Sequence, residues 1–167
     1  MRNIILVGMM SSGKTTLGKK LARHLGYRFV DLDKQIEHDQ GMDIPSLFSQ
    51  KGEAYFREVE SRMLKQVTPN NRLVIASGGG APCFFDNMDF IKESGISIFL
   101  DVPAAELARR ISNHGKDDRP ILSGVVSLES ELSKRIEDRR PFYSRADVTI
   151  TGITEVREII EAISPFL

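Results

Sequence analysis

The stretch Gly8-Met9-Met10-Ser11-Ser12-Gly13-Lys14-Thr15 constrains this chain more than any other. It fits G-x-x-x-x-G-K-S/T, a pattern whose glycines let backbone N–H groups curl around an anion at the start of a helix. Its flanks supply the required context. Asn3 to Val7 is a short apolar run that ends at Gly8, and after Lys14 the residues Leu17, Leu21 and Leu25 recur at helical spacing until Gly26. Strand, glycine loop, helix is the arrangement that cradles nucleotide phosphates. Ser11, Ser12, Gly13 and Thr16 would then surround the phosphates of ATP, Lys14 would reach the β and γ phosphates, and Thr15 would place its hydroxyl on Mg²⁺. The competing reading, an ordinary glycine turn with a solvated lysine, does not require that flanking pattern.

The rest of the chain repeats the alternation. Tyr27 to Leu32 reads as a second strand, Leu73 to Ala76 and Ile96 to Leu100 are largely apolar runs of the kind buried on both faces of a sheet, and Asp147 to Thr151 is a fifth strand. Helical patterns lie between them, the clearest from Glu53 to Val67 with Phe56, Val59, Met63, Leu64 and Val67 along one stripe. This predicts an α/β fold, a three-layer sandwich around a five-stranded parallel sheet, with ligands at the carboxyl ends of the strands. Ser112 to Gly124 interrupts the pattern with polar and small residues and no apolar stripe, which predicts a mobile lid. No linker, repeat or low-complexity tract divides the chain, so residues 1–167 are expected to form one domain.

Charge and cysteine usage remove other classes of function. Lys plus Arg number 23 and Asp plus Glu number 23, so no overall field draws the chain to nucleic acid or to a membrane surface, and its cations must act locally. Cys83 is the single cysteine, and no apolar run approaches the roughly 20 residues of a membrane span. The first residues read as a strand and not as a signal peptide. A cytoplasmic protein is expected, with a monomer as the default assembly. The histidines His24, His38 and His114 are scattered without ligand spacing, so no protein metal centre is expected from them.

Several other residues stay open on local evidence. Asp31 and Asp33 flank Leu32 at a strand end, where extended geometry would send both carboxylates to one face near the glycine loop. They could serve metal and substrate, or face water and cap the helix from Lys34. Many phosphate-loop proteins keep an acidic metal ligand where this chain has Ser77, which makes Asp31 the better carboxylate for the Mg²⁺ shell. For Arg57 alone, an ion pair with Glu53 or Glu60 one helical turn away is the favoured reading. Arg139 and Arg140 end a basic helix just before Pro141, where cations are favoured in any case. Gly78-Gly79-Gly80 follows a buried strand at an entropic cost that close approach of a ligand would explain.

Six segments in order resemble the shikimate kinase family. They are the glycine loop, Phe29-Val30-Asp31-Leu32-Asp33, the run from Gly41 through Gly52-Glu53 to Phe56-Arg57-Glu58-Val59-Glu60, the triple glycine, Arg119-Pro120-Ile121-Leu122, and Arg139-Arg140-Pro141-Phe142-Tyr143. The resemblance covers nearly the whole chain. It implies that Asp33 holds the acceptor's ring hydroxyls and orients or deprotonates the attacking one, that Arg57 and Arg139 bind the shikimate carboxylate, and that Gly79 contacts the substrate. It also implies that Arg119 closes over the phosphates and that Arg110, beside Arg109, packs on adenine. The expected activity is transfer of the γ-phosphate of ATP to the 3-hydroxyl of shikimate, with Lys14, Asp33 and Arg119 as the catalytic residues. Two departures stand out: Ser11 replaces a glycine usual in the family, and Ile121 and Phe142 replace leucines.

A kinase for another small metabolite, such as gluconate or a nucleoside monophosphate, would keep the glycine loop and change the acceptor pocket. Arg57, Arg139 and Asp33 suit a carboxylated polyol, whereas a nucleobase would call for stacking and edge contacts. A nucleotide switch without transfer chemistry would normally carry N-K-x-D and D-x-x-G as well, and neither occurs.

Overall fold

A computed structural model describes residues 1–113 and 127–167. Of the expected lid only Ser112 and Asn113 fall among them, at the end of a helix, and Arg119 lies outside the described residues.

Five strands form one parallel sheet: β1 (Asn3–Val7), β2 (Arg28–Asp31), β3 (Leu73–Ala76), β4 (Gly95–Asp101) and β5 (Val148–Thr151), in the spatial order β2-β3-β1-β4-β5. β1 is central and wholly buried, and its side chains alternate between two cores. Ile4 and Leu6 join Val74, Ile98 and Leu100 beneath α1 (Lys14–Leu25) and α7 (Val156–Ile163). Ile5 and Val7 join Ile75 and Phe99 on the other face. That face is covered by α2 (Leu32–Gln40), α3 (Ile44–Leu64), α4 (Asn87–Ser94), α5 (Ala104–Asn113) and α6 (Leu128–Tyr143). The inner strands β1, β3 and β4 are buried on both faces and read as nearly continuous apolar runs, whereas the edge strands β2 and β5 are only part-buried and β5 alternates.

The strand order places the site. The chain leaves β1 toward β2 on one side and later crosses from β3 to β4 on the other, so a crevice opens at the carboxyl ends of the adjacent strands β1 and β3. The glycine loop follows β1, and Ser77 to Gly80 follow β3. Ser77 joins the two ends by donating its backbone N–H and its hydroxyl to the Leu6 carbonyl, at 3.1 and 3.0 Å.

Three local expectations need correction. The second strand stops at Asp31, and the chain turns helical at Leu32, so Asp33 lies in the first turn of α2 and not in extended backbone. The Asp31 carboxylate caps that helix by accepting from the Lys34 N–H at 3.2 Å. The helix placed at Glu53 to Val67 is the second half of α3, which kinks at Gly52 (φ 83°), and it ends at Leu64. The basic helix does not end at Arg140: α6 runs through Pro141 to Tyr143. A proline this near a helix end forfeits one backbone hydrogen bond and leaves the last turn in place.

Candidate functional site

The glycine loop is held by its own backbone. Gly8, Ser11 and Gly13 all have positive φ, at 145°, 63° and 102°, which turns the loop back on itself into the N-terminus of α1. For Gly8 there is also no room for a side chain, because a Cβ would lie 2.8 Å from the Leu100 carbonyl oxygen. Ser11 takes the left-handed conformation although it is not a glycine, at some cost in strain. Arg110 supports it by donating to the Ser11 carbonyl at 2.9 Å. Arg109 forks onto Glu106 at the surface, and Arg110 shares that carboxylate at 2.9 Å while its other end reaches the loop.

Lys14 is buried, and its ammonium donates to the carbonyls of Gly8 and Met9 at 2.7 and 2.8 Å, folded across the mouth of the loop. The buried Ser12 hydroxyl has no hydrogen-bond partner among the described residues. Thr15 and Thr16 are exposed on the first turn of α1, and the Thr15 hydroxyl lies 3.3 Å from the Asp31 carboxylate. No group of three or more acidic, histidine or cysteine side chains able to hold a metal occurs among the described residues.

Beside the loop is a cavity lined by Met10, Asp33, Arg57, Glu60, Arg139 and the triple glycine, with Ile44, Phe48 and Phe56 as its apolar wall. The glycines explain how these side chains converge. A Cβ on Gly78 would stand 2.6 Å from Glu60 Oε2 and 2.9 Å from Asp33 Oδ1. One on Gly79 would stand 3.2 Å from an Arg139 terminal nitrogen, and one on Gly80 would stand 2.6 and 2.7 Å from both terminal nitrogens of Arg57. The close approach inferred from the sequence is therefore made first by the protein's own charged side chains, which a Cβ at any of the three positions would displace.

The two arginines differ in their partners. Arg57 is buried and ion-paired on both sides along α3, to Glu60 at 3.0 Å and to Glu53 at 3.3 Å, so the local reading of Arg57 as an ion-paired residue holds while its guanidinium also faces the cavity. Arg139 is equally buried, yet among the described residues it makes no ion pair: it approaches the Met9 sulfur at 3.7 Å and Tyr143, and feels the Glu60 carboxyl only from beyond ion-pair distance. A buried guanidinium without a contact ion pair is costly, and an anionic ligand in the cavity would offset that cost.

Electrostatics set the carboxyl groups apart. Burial raises the Asp33 carboxyl above its usual range, with Asp31 adding to the rise and Lys14 opposing it. Burial also pushes Glu60 up to about 7 against the pull of Arg57, and its Oε2 has no hydrogen-bond partner among the described residues.

The residue-by-residue reading missed Glu60 and Tyr143 as site residues. Glu60 is one turn beyond Arg57, the spacing that makes it a partner for a guanidinium turned inward. Tyr143 is one turn beyond Arg139, and its buried hydroxyl donates to the Gly79 carbonyl while its ring packs on Phe99 at 5.0 Å.

Known proteins share this chain's sequence pattern and fold. A family model described as shikimate kinase matches residues 10–167. A shikimate kinase of Bacteroides fragilis is 46% identical over 149 residues, covering 88% of this chain and 83% of that protein. The structure of an Acinetobacter baumannii shikimate kinase in complex with shikimate superposes with a TM-score of 0.89 at 36% identity, covering 99% of this chain and 92% of that one. A gluconokinase from Sinorhizobium meliloti, at 17% identity and a TM-score of 0.58 over 95% of this chain and 87% of that one, shares the fold alone. The match to the family model over all but the first nine residues, together with these identities, shows that the chain belongs to the shikimate kinase family.

Proposed function

We propose that this chain transfers the γ-phosphoryl group of ATP to the 3-hydroxyl of shikimate, giving shikimate 3-phosphate and ADP on the route to chorismate and the aromatic amino acids. The observation that carries the reading is Arg139, a buried cation without a carboxylate partner among the described residues, in a cavity that also holds Arg57 and Asp33. Two guanidiniums at one end suit a carboxylate, and an aspartate near the glycine loop suits hydroxyls. The apolar wall of Met10, Ile44, Phe48 and Phe56 suits the face of a carbon ring better than the open, fully hydroxylated chain of gluconate.

Phosphoryl transfer asks the protein for alignment and positive charge more than for covalent chemistry. Arg57 and Arg139 fix the acceptor by its carboxylate, with Gly79 against it, so that a ring hydroxyl meets Asp33. The raised Asp33 carboxyl is the better base for the departing proton, since its affinity is closer to working pH. Ser11, Ser12, Gly13 and Thr16 frame the ATP phosphates, and Lys14 swings from the loop carbonyls to the γ-phosphate. Arg110, already against the loop, takes the adenine side. Arg119, matched through its R-P-I-L segment, adds charge to the transferring group.

Mg²⁺ is held by one or two protein oxygens together with phosphate oxygens and water, and the Thr15 hydroxyl with the nearby Asp31 carboxylate fits that demand. When bound, the ion neutralises charge on the β and γ oxygens. Cys83 is half-buried, with its thiol pushed up to about 11 by burial, which fits a structural residue of a cytoplasmic protein. Among the described residues no helix is long and apolar enough to cross a membrane. A monomer suffices, because every residue in these roles comes from one chain. The test is ADP release with shikimate or gluconate as acceptor, with phosphorus NMR of the product. Shikimate-dependent release with the phosphate on O3 is expected; release driven equally by gluconate, or by neither, would overturn the reading.

A further inference from the structure

Arg57 is gripped from a direction that its ion pairs do not cover. The Phe84 ring lies against the guanidinium with its centroid 4.2 Å from Cζ, closer than the adjacent Phe56 ring at 5.2 Å. Arginine presents a flat, weakly hydrated face that stacks on aromatic rings, and such contact fixes the plane of its N–H fork. Phe84 is half-buried and does not line the cavity, so any influence it has on a ligand there passes through Arg57.

The segment carrying Phe84 is built to hold this ring in place. A short 3-10 turn over Ala81–Cys83 leads into extended Phe84 (φ −120°, ψ 147°), and Phe85 then adopts φ 51°. A left-handed conformation is an outlier for a bulky residue, and here it leaves the Phe85 side chain 66% exposed, so burial of that side chain is a poor return for the strain. What the turn at Phe85 achieves is the direction of its neighbour. Asn87 then ties the segment to α3: its buried side-chain amide donates to the Ala81 carbonyl at 2.8 Å and accepts from the Ser61 hydroxyl at 2.6 Å, one turn past Arg57 on the same helix. Its backbone N–H bonds the Phe84 carbonyl at 3.1 Å. Arginine and ring are therefore fixed to one bracket.

We propose that Phe84 is a positioning residue of the acceptor pocket, its ring stacked on the Arg57 guanidinium so that the outer edge of the fork faces the site of the acceptor's carboxylate past Gly80. A Cβ on Gly80 would crowd the two terminal nitrogens, at 2.6 and 2.7 Å, more than Cζ, at 2.9 Å, so it is the outer edge of the fork that packs against Gly80 at the cavity wall. The three ion-pair bonds to Glu53 and Glu60 occupy three of the five N–H groups and set the rotation of the fork, and the ring sets its tilt.

This inference rests on the reading of Arg57 as a carboxylate ligand, and the experiment separates the two. Steady-state kinetics with shikimate and ATP varied would be run on Phe84→Tyr, Phe84→Leu, Phe85→Gly, Arg57→Ala and the double variant Arg57→Ala/Phe84→Leu, with melting temperatures to check folding. Phe84→Leu keeps bulk and loses the ring; it should raise the shikimate KM about tenfold, with kcat and the ATP KM within about twofold of the parent. Phe84→Tyr should stay near the parent, and so should Phe85→Gly, because glycine adopts the same turn without strain. In the Arg57→Ala background the Leu substitution should add nothing. Were Phe84→Leu silent, or its effect equally large without Arg57, the positioning role would be overturned while the carboxylate reading stood. A rise in the shikimate KM of Phe85→Gly would overturn the claim that only the backbone turn matters there. An unchanged shikimate KM in Arg57→Ala would overturn the carboxylate reading itself and this inference with it.

Discussion

The phosphate loop and the acceptor pocket meet at the ends of adjacent strands, but they are made of different material. The loop is backbone: positive φ at Gly8, Ser11 and Gly13 shapes it, and Lys14 is satisfied by two carbonyls of the loop itself. The pocket is side chain: two buried arginines, Asp33 and Glu60 are drawn from α2, α3 and α6 and pressed against three glycines. A site made of backbone is preorganised by the fold, and its demands fall on backbone conformation, as the positive φ of Gly8, Ser11 and Gly13 shows. A site made of buried charges depends on each neighbour, because every group removed leaves another unpaired.

The contrast predicts where damage falls. Lys14→Ala should give the largest effect, a fall in kcat of about a thousandfold or more with the shikimate affinity nearly intact, since the loop deals only with the transferred group. Steady-state kinetics paired with shikimate calorimetry checks this, and near-normal turnover would detach the loop from the chemistry. Asp33→Asn should come next, lowering kcat by about a hundredfold or more if the carboxylate takes the proton in the transition state.

Glycine substitutions sharpen the contrast further. Gly80→Ala places a methyl 2.6 to 2.9 Å from the Arg57 guanidinium, and the long side chain must move aside. The shikimate KM should rise about tenfold, with the ATP KM held. Gly79→Ala meets Arg139 at 3.2 Å and the Met10 N–H at 3.4 Å, so its effect should be smaller. Equal effects of the two on the ATP KM would mean that the pocket and the loop are not separable.

The smallest effect is in stability. Glu60 has an ordinary value of 4.5 and is raised to about 7 in the fold. Between those values the folded chain keeps a proton that the unfolded chain releases, so ionisation costs stability as pH rises through the window. Glu60→Gln removes that titration. The melting temperature of the parent minus that of the variant should fall by about 5 °C from pH 5 to pH 8; a difference independent of pH would show that Glu60 titrates normally.

The same difference in material explains what could be read from the sequence. The loop is eight contiguous residues between an apolar run and a helical stripe, so its geometry is written in one place. The sheet was legible for a similar reason, because Ile4 to Val7 and Leu73 to Ala76 are apolar at successive positions and Ile96 to Leu100 is so apart from Ser97. The pocket is not contiguous: Asp33, Arg57, Gly79 and Arg139 are brought together only by the strand order, and their local surroundings favoured caps and ion pairs. Those local readings were partly right. Asp31 does cap α2 and Arg57 does pair with Glu53 and Glu60, since a residue can satisfy a helix and serve a cavity at once. The termination of β2 at Asp31 was hidden by the apolar Val30 and Leu32, which are buried equally well by strand or helix.

The central claim is that the buried arginine without a carboxylate partner among the described residues is reserved for the acceptor's carboxylate. Calorimetric titration of shikimate into the parent and into Arg139→Ala, with an ATP analogue titrated into both, tests it most directly. The shikimate affinity of the variant should fall by about a hundredfold or more, as expected for loss of a charged hydrogen-bonded pair, while the nucleotide affinity stays within about threefold. Unchanged shikimate binding in Arg139→Ala, with the variant folded and binding nucleotide, would contradict the account.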